Sequence, residues 1–360
     1  MIIFIDKMKR YLRIKMWTIL SIPLVHWLII HFVRRSAVTI PDIEIVDVVF
    51  VMPPANQSGW ILEAICREIG MRLAGYSVKY CNNGEKLPRA KYYFFSHYMY
   101  YIQALSSCYS MYLGRVYIYA THLEPSKHGI DNYTLARILS HADGVFCMNS
   151  KLKEVLNEFG VPSEKLCIVV GAASCNQFQS HERHTRGKVG FSAAYYWRKS
   201  PDMVLNIIRK MPDRLFVLMG KGWESYPLFS QLIAQPNFEY VTTEYSQYAK
   251  YYDQMSVFVS VSQLEGGPIP LIEAMMSNVV PVVSRTGFAP DIIQHGENGF
   301  LVDVNASATQ YCELIEKAFE IQTNIRDSVL FCDWDSFSLK IQKFMGMSDN
   351  GIRQKLRRNF

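Results

Sequence analysis

The segment LEGGPIPLIEAM, residues 264–275, lies one residue beyond the apolar run VFVSVS. The run has the β-branched, aromatic composition of a buried strand. The segment after it turns through two glycines and two prolines before an apolar helical stretch begins. Pro270 suits the first turn of that helix, where a missing N–H costs nothing. Gly266 and Gly267 let backbone approach a ligand without an intervening side chain. Their N–H groups, with that of Ile269, can face an anion at a helix start. Glu265 and Glu273 stand eight residues apart around this turn, and Glu273 is placed in the first helical turn, near the positive end of the dipole. A carboxylate there can accept hydrogen bonds from both hydroxyls of a ribose or another sugar.

Outward from this window, short apolar runs alternate with amphipathic stretches. VDVVFVM, SVKYC, KYYFFS, RVYIYA, GVFCM and LCIVV read as strands in the first half, and KVGFSAAY, RLFVLMG, FEYVT, SVFVSVS and VVPVVS in the second. Helical patterns such as WILEAICREIGMRLA, DNYTLARILSHA, PDMVLNIIRK and ATQYCELIEKAFEI lie between them. Such alternation predicts parallel sheets covered on both faces. The polar stretch QSHERHTRGK, residues 179–188, reads as a linker. The expected organisation is a basic hydrophobic segment 1–35, a Rossmann-like domain 36–182, a second Rossmann-like domain 183–330, and a terminal helix with a basic tail, 331–360. A ligand cleft is expected between the two domains, beyond the carboxyl ends of the strands.

The window from residue 256 to 302 resembles the C-terminal domain of the retaining glycosyltransferases of family 4, which have the GT-B fold. The resemblance rests on a strand leading to E-G…E-A-M with E-x7-E spacing, then a P-V-V strand and the turn GFAPDIIQHGENGFLV, where Asp291 replaces the usual glutamate. It extends over roughly residues 45–345. It implies that Glu265 holds the transferred sugar and Glu273 the ribose of a nucleotide diphosphate donor, UDP- or GDP-linked. GFSAAYYWRKSPDMVL resembles the loop that grips the donor diphosphate. Lys199 matches its lysine, whereas the arginine position falls at Ala193 or Ala194, leaving Arg198 or Lys221 as the second cation. The tetrapeptide usually seen as P-N-G-V-D at the domain exit is replaced by Gly171 to Ser174. In YATHLEP, His122 lies just beyond a strand, where the family often has a histidine facing the sugar; His97, in FFSHYM, is similarly placed. Ser58 and Gly59, in NQSG, occupy the loop where acceptor and donor are seated.

The resemblance implies transfer with retention of configuration and without a metal, the leaving diphosphate being stabilised by Lys199, Arg198 and helix-start amides. Asp333-Trp334-Asp335 spells D-x-D, a metal-binding pattern of the other large glycosyltransferase fold. Here it opens the last helix, and Asp335 is expected to cap it. A GT-B epimerase or phosphorylase would not ordinarily carry this E-x7-E window. A catalytically silent membrane partner of another transferase is the non-enzyme alternative, because the arginine is missing.

Composition fits this reading. The chain has 360 residues, 49% hydrophobic and 19% charged, enough for two cores. Its eight cysteines are scattered with no C-x-x-C, the pattern of reduced thiols in a cytosol. Sequons at Asn56, Asn132 and Asn305 are of the kind that chance produces. The net charge is +6, and residues 1–35 carry seven Lys and Arg against Asp6 alone. A near-neutral body with basic ends argues against nucleic acid and for an anionic membrane surface. Residues 17–33, WTILSIPLVHWLIIHFV, would span about 25 Å as one helix, and a helix lying in the interface is expected more than a spanning anchor. A cytoplasmic enzyme held at the membrane, with a glycan or glycolipid acceptor, follows.

Overall fold

The computed structural model describes residues 2–37, 45–57, 61–124 and 129–347. Ser58, Gly59 and the basic tail 351–360 lie outside the described residues.

The chain divides into two compact units, one ending at Val169 and resumed from Ser338, the other Val170–Phe337. Each holds a six-stranded sheet whose pairings are all parallel. In the first unit β1 (Val46–Met52), β2 (Val78–Asn82), β3 (Ala90–Phe95), β4 (Arg115–Ala120), β5 (Gly144–Cys147) and β6 (Leu166–Ile168) are ordered β2-β1-β3-β4-β5-β6. In the second, β7 (Lys188–Ser192), β8 (Phe216–Met219), β9 (Phe238–Val241), β10 (Met255–Ser260), β11 (Val280–Ser284) and β12 (Phe300–Val302) are ordered β12-β11-β10-β7-β8-β9. Every residue of β5, β8 and β11 is buried, as in strands covered by helices on both faces. This is why they read as unbroken apolar runs.

Strand order reverses between β1 and β3 in one sheet and between β7 and β10 in the other. At such a switch point the connections leave in opposite directions and open a crevice at the carboxyl ends of the strands. The 3-residue β12 was not legible as a strand, because it sits between Gly299 and the Asp303 turn.

Residues 17–33 do not form one helix. Helix α1 (Ile2–Leu20) stops before Pro23, which opens α2 (Pro23–Ala37) after a bend of 80°. Proline cannot donate to the preceding turn and its ring crowds the carbonyl four residues back, but it fits a helix start. No single described helix is long and apolar enough to cross a membrane, although the bent pair Tyr11–Leu20 and Pro23–Ser36 together meets the length and composition. Its inner face packs on the first unit. Trp17, Ser21 and His26 are buried, and the His26 ring stacks on His141 at 3.9 Å. Burial, and then the neighbouring His141, push the His26 pKa down to about 4.

The stretch 179–188 is not a free linker. Arg183 donates to the carbonyls of Asn278, Ile321 and Thr323 at 2.8–2.9 Å. His181 contacts the Met255 carbonyl at 2.9 Å, and Ser256 bonds His184 through its amide and carbonyl. The polar side chains satisfy backbone of the second unit. The last helix, Trp334–Phe344, likewise ends in a core: Phe344 packs on Phe146 and Tyr117 of the first sheet, ring centroids 5.3 and 6.4 Å apart.

Candidate active site

The second sheet places its chemistry at the switch point. The chain leaves β7 through Ala193 and Ala194 and makes a tight turn, Trp197–Lys199. Ser200 follows in the left-handed region with φ 49°, an unusual conformation for a non-glycine residue. The helix Pro201–Lys210 then begins. The chain leaving β10 runs beside this turn, and the Gln263 amide donates to the Arg198 carbonyl at 2.8 Å. Lys199 and Glu265 meet here. The Lys199 ammonium donates to Glu265 Oε1, with only 16% and 8% of the two side chains exposed. Two groups with separate expected roles thus form one buried ion pair. Removing either would strand the other in a poorly hydrated place.

Arg198 turns to the ring of Tyr196, its guanidinium 5.5 Å from the centroid. Lys221 follows β8 and is exposed, its carbonyl accepting from the Tyr195 amide at 2.9 Å. The backbone is crowded here. A β-carbon on Gly220 would lie 1.9 Å from the Ala193 carbonyl oxygen, so only glycine fits between the ends of β7 and β8.

Glu273 has a different environment. The helix runs Ile269–Met276 with Pro270 at its second position, so Glu273 is its fifth residue and lies beyond the first turn. The expected dipole contact is therefore weak. The residue is 2% exposed. Tyr245 donates to Oε1 at 2.7 Å and Tyr252 to Oε2 at 2.9 Å. Burial raises its pKa to about 7, while the two tyrosine hydrogen bonds pull the other way. Phe178 packs edge-on against both tyrosines, at 6.0 and 5.6 Å. Tyr245 and Tyr252 were not singled out from the sequence. Their spacing of seven residues puts both on one face of a helical stretch, but nothing in the sequence connects that face to Glu273.

Gly266, Gly267 and Ile269 form the entry into this helix, whose first amides lack intrahelical partners. The loop after β11 holds the entry in place. Gly287, at φ +55°, approaches so closely that a β-carbon would lie 2.9 Å from the Gly266 carbonyl oxygen. Ser284 donates to the Ser262 carbonyl at 2.7 Å. Gly287 is another residue the sequence reading passed over, although it stands in the RTGFAP turn.

In the first unit, His97 and His122 follow the adjacent strands β3 and β4. His97 caps the helix Tyr98–Ala104, its Nδ1 accepting from the Met99 amide at 3.1 Å, so that nitrogen is committed to structure. His122 lies 3.1 Å from Thr121 Oγ1 and 3.4 Å from Glu124 Oε2.

The D-x-D cap is assigned differently from expectation. The last helix starts at Trp334, two residues earlier than a cap at Asp335 would give, and Asp333 is the cap, its Oδ1 accepting from the Ser336 amide at 2.7 Å. Among the described residues no three His, Cys, Asp or Glu side chains cluster as metal ligands.

Comparison with known proteins agrees with this architecture. Residues 175–329 match the sequence model of the family described as Glycosyl transferases group 1. A sulfoquinovosyl transferase of Arabidopsis thaliana is 28% identical over 153 residues, 40% of this chain and 30% of that protein. The chain thus spans under a third of that relative's length. Among solved structures, the lipopolysaccharide outer core galactosyltransferase WaaB superposes with a TM-score of 0.66 at 11% identity, covering 83% of this chain and 99% of that one. Anabaena HepE in complex with UDP-glucose gives 0.67 at 12%, covering 84% and 99%. The sucrose-phosphate synthase of Thermosynechococcus elongatus gives 0.69 at 13%, covering 83% and 98%. The fold is GT-B, and the matched region contains Lys199, Glu265 and Glu273.

Proposed function

We propose that the protein is a retaining glycosyltransferase of family 4 type. It moves a sugar from a nucleotide diphosphate donor to a glycan or lipid-linked acceptor. The observation that carries this reading is the Lys199–Glu265 pair at the β7–β10 switch point, beside the Gly266–Gly267 turn. A donor diphosphate would take Lys199 from Glu265, and the freed carboxylate would accept hydrogen bonds from sugar hydroxyls. Arg198 or Lys221 supplies the second cation in place of the missing arginine. Glu273 receives the ribose, with Tyr245 yielding one oxygen. Preorganised charges and helix-start amides stabilise the leaving diphosphate without a metal. His122 faces the transferred sugar. UDP is the favoured nucleotide, since HepE is solved with UDP-glucose. The chain works on the cytoplasmic side, held at the membrane by residues 1–35.

Nucleotide release from a panel of UDP- and GDP-sugars, with a membrane glycolipid fraction as acceptor, tests the activity. Acceptor-dependent release that persists in excess EDTA is the expected result. Alanine at both 193 and 194 favours a second reading, a catalytically silent membrane partner. Absence of release with every donor would support that reading over the first.

A further inference from the structure

The first unit contains a large apolar cavity that the donor chemistry does not use. Its volume is about 1260 Å³, above the roughly 300–1,000 Å³ of ordinary small-molecule sites. Leu28, Phe32 and Val33 of α2 line it, with the buried Val51 and Phe95, near the carboxyl ends of β1 and β3, and Leu113. Polar groups in the walls are largely paired within the protein. Ser110 donates to the Leu87 carbonyl, Asn83 to Gln103, and Glu85 accepts from Asn82. Such an interior has few anchors for a polar ligand and suits a hydrocarbon one.

The α2 wall is also an outer surface. Leu28 and Phe32 are 51% and 73% exposed, and Tyr11, Leu12, Ile19, Leu24 and Trp27 continue the apolar face along α1 and α2. An apolar surface of this extent on a monomer marks an interaction site. Lys86 and Arg89 line the same cavity. Arg34 and Arg115 line a smaller one of about 450 Å³, which shares Leu113 with the first and also holds Asp143 and Lys91, the latter paired with Asp47 at 2.7 Å. A bent apolar helix pair with cations beside it is the arrangement that lies in a bilayer interface and attracts anionic headgroups.

We propose that the cavity under α2 takes the hydrocarbon chain of a membrane lipid, with Lys86 and Arg89 meeting its phosphate. This goes beyond the functional reading and does not rest on it: the lipid is held as a membrane anchor, its phosphate beside Arg89 at the amino end of β3. Val51 and Phe95 bring the cavity lining to the carboxyl ends of β1 and β3, the two strands on either side of the switch point.

The test uses the full chain with vesicles of phosphatidylcholine and phosphatidylglycerol containing a phospholipid that bears a photoreactive diazirine midway along one acyl chain. After irradiation, adducts are mapped by mass spectrometry. Adducts are expected on the cavity walls 83–89 and 103–113 as well as on α2. Ser107→Trp and Val33→Trp fill the cavity from two sides, and either should lower wall labelling by about tenfold while vesicle sedimentation changes by less than about twofold. Circular dichroism and a cooperative thermal unfolding transition show that each variant is folded. Labelling confined to the outer face of α1 and α2, wall labelling unchanged in both filled variants, or a protein–protein crosslink in place of lipid adducts would overturn the proposal. Wall labelling by a protein that binds no nucleotide would leave the cavity's lipid ligand standing and remove the glycosyltransferase reading.

Discussion

Lys199 and Glu265 form a buried ion pair between the loops that leave the adjacent strands β7 and β10. Its members are therefore linked in stability as well as in the proposed chemistry. Lys199→Ala is predicted to slow transfer by roughly 10²–10³, the scale of losing one preorganised charge stabiliser. It should also cost about 3–5 kcal/mol of stability by leaving Glu265 unpaired. The double variant Lys199→Met/Glu265→Gln should recover most of the stability and none of the rate. Denaturant unfolding alongside nucleotide release separates the two effects. Recovery of rate in the double variant would reduce the pair to a structural element.

Glu273 makes stability depend on pH. Its folded pKa, about 7, lies above the ordinary 4.5, so the folded state holds the extra proton. The stabilisation is complete below about 4.5 and is lost as pH rises through about 7, with a total on the order of 3 kcal/mol. Glu273→Gln removes the ionisation. Thermal unfolding of the variant should flatten across that window, while the unsubstituted protein loses stability from pH 5 to pH 8 more steeply than the variant does.

Donor binding should act on the same carboxyl in the opposite sense. Ribose hydroxyls donate, and so favour the ionised acid. Donor affinity is predicted to rise with pH through about 7, with proton release visible by calorimetry in buffers of different ionisation enthalpy. Glu273→Gln should weaken donor binding by about 1.5–3 kcal/mol and abolish the released proton. Unchanged affinity with unchanged proton release would remove Glu273 from the donor site.

Gly287 supports the Gly266–Gly267 turn by backbone contact alone. Alanine at this position meets both the left-handed conformation and the Gly266 carbonyl. Gly287→Ala should therefore cost more than about 1 kcal/mol in thermal unfolding and raise the donor Kd. Full stability with normal donor affinity would show that the turn tolerates displacement.

The central strands and both sheets were legible because parallel strands buried on two faces leave uninterrupted apolar runs, as in VFVSVS and VVPVVS. Pro270 marked its helix start for the same local reason. The pairing of Lys199 with Glu265 was not legible, since it depends on β7 and β10 being neighbours although 62 residues of chain separate them. Tyr245 and Tyr252 were hidden likewise: a buried acid needs partners, but sequence does not say which. The bend at Pro23 and the caps at His97 and Asp333 were open to local reasoning and were misread, the Asp333 cap by two residues and His97 by role. The polar stretch 179–188 misled because Arg183 satisfies carbonyls that only the folded unit brings together.

The most direct test is a calorimetric titration of UDP and GDP into the protein and into the Lys199→Met/Glu265→Gln variant. One nucleotide is expected to bind the unsubstituted protein and to lose tenfold or more in affinity in the variant, about 1.4 kcal/mol or above. Equal affinity in both proteins, or no binding of either nucleotide to the unsubstituted chain, would contradict it.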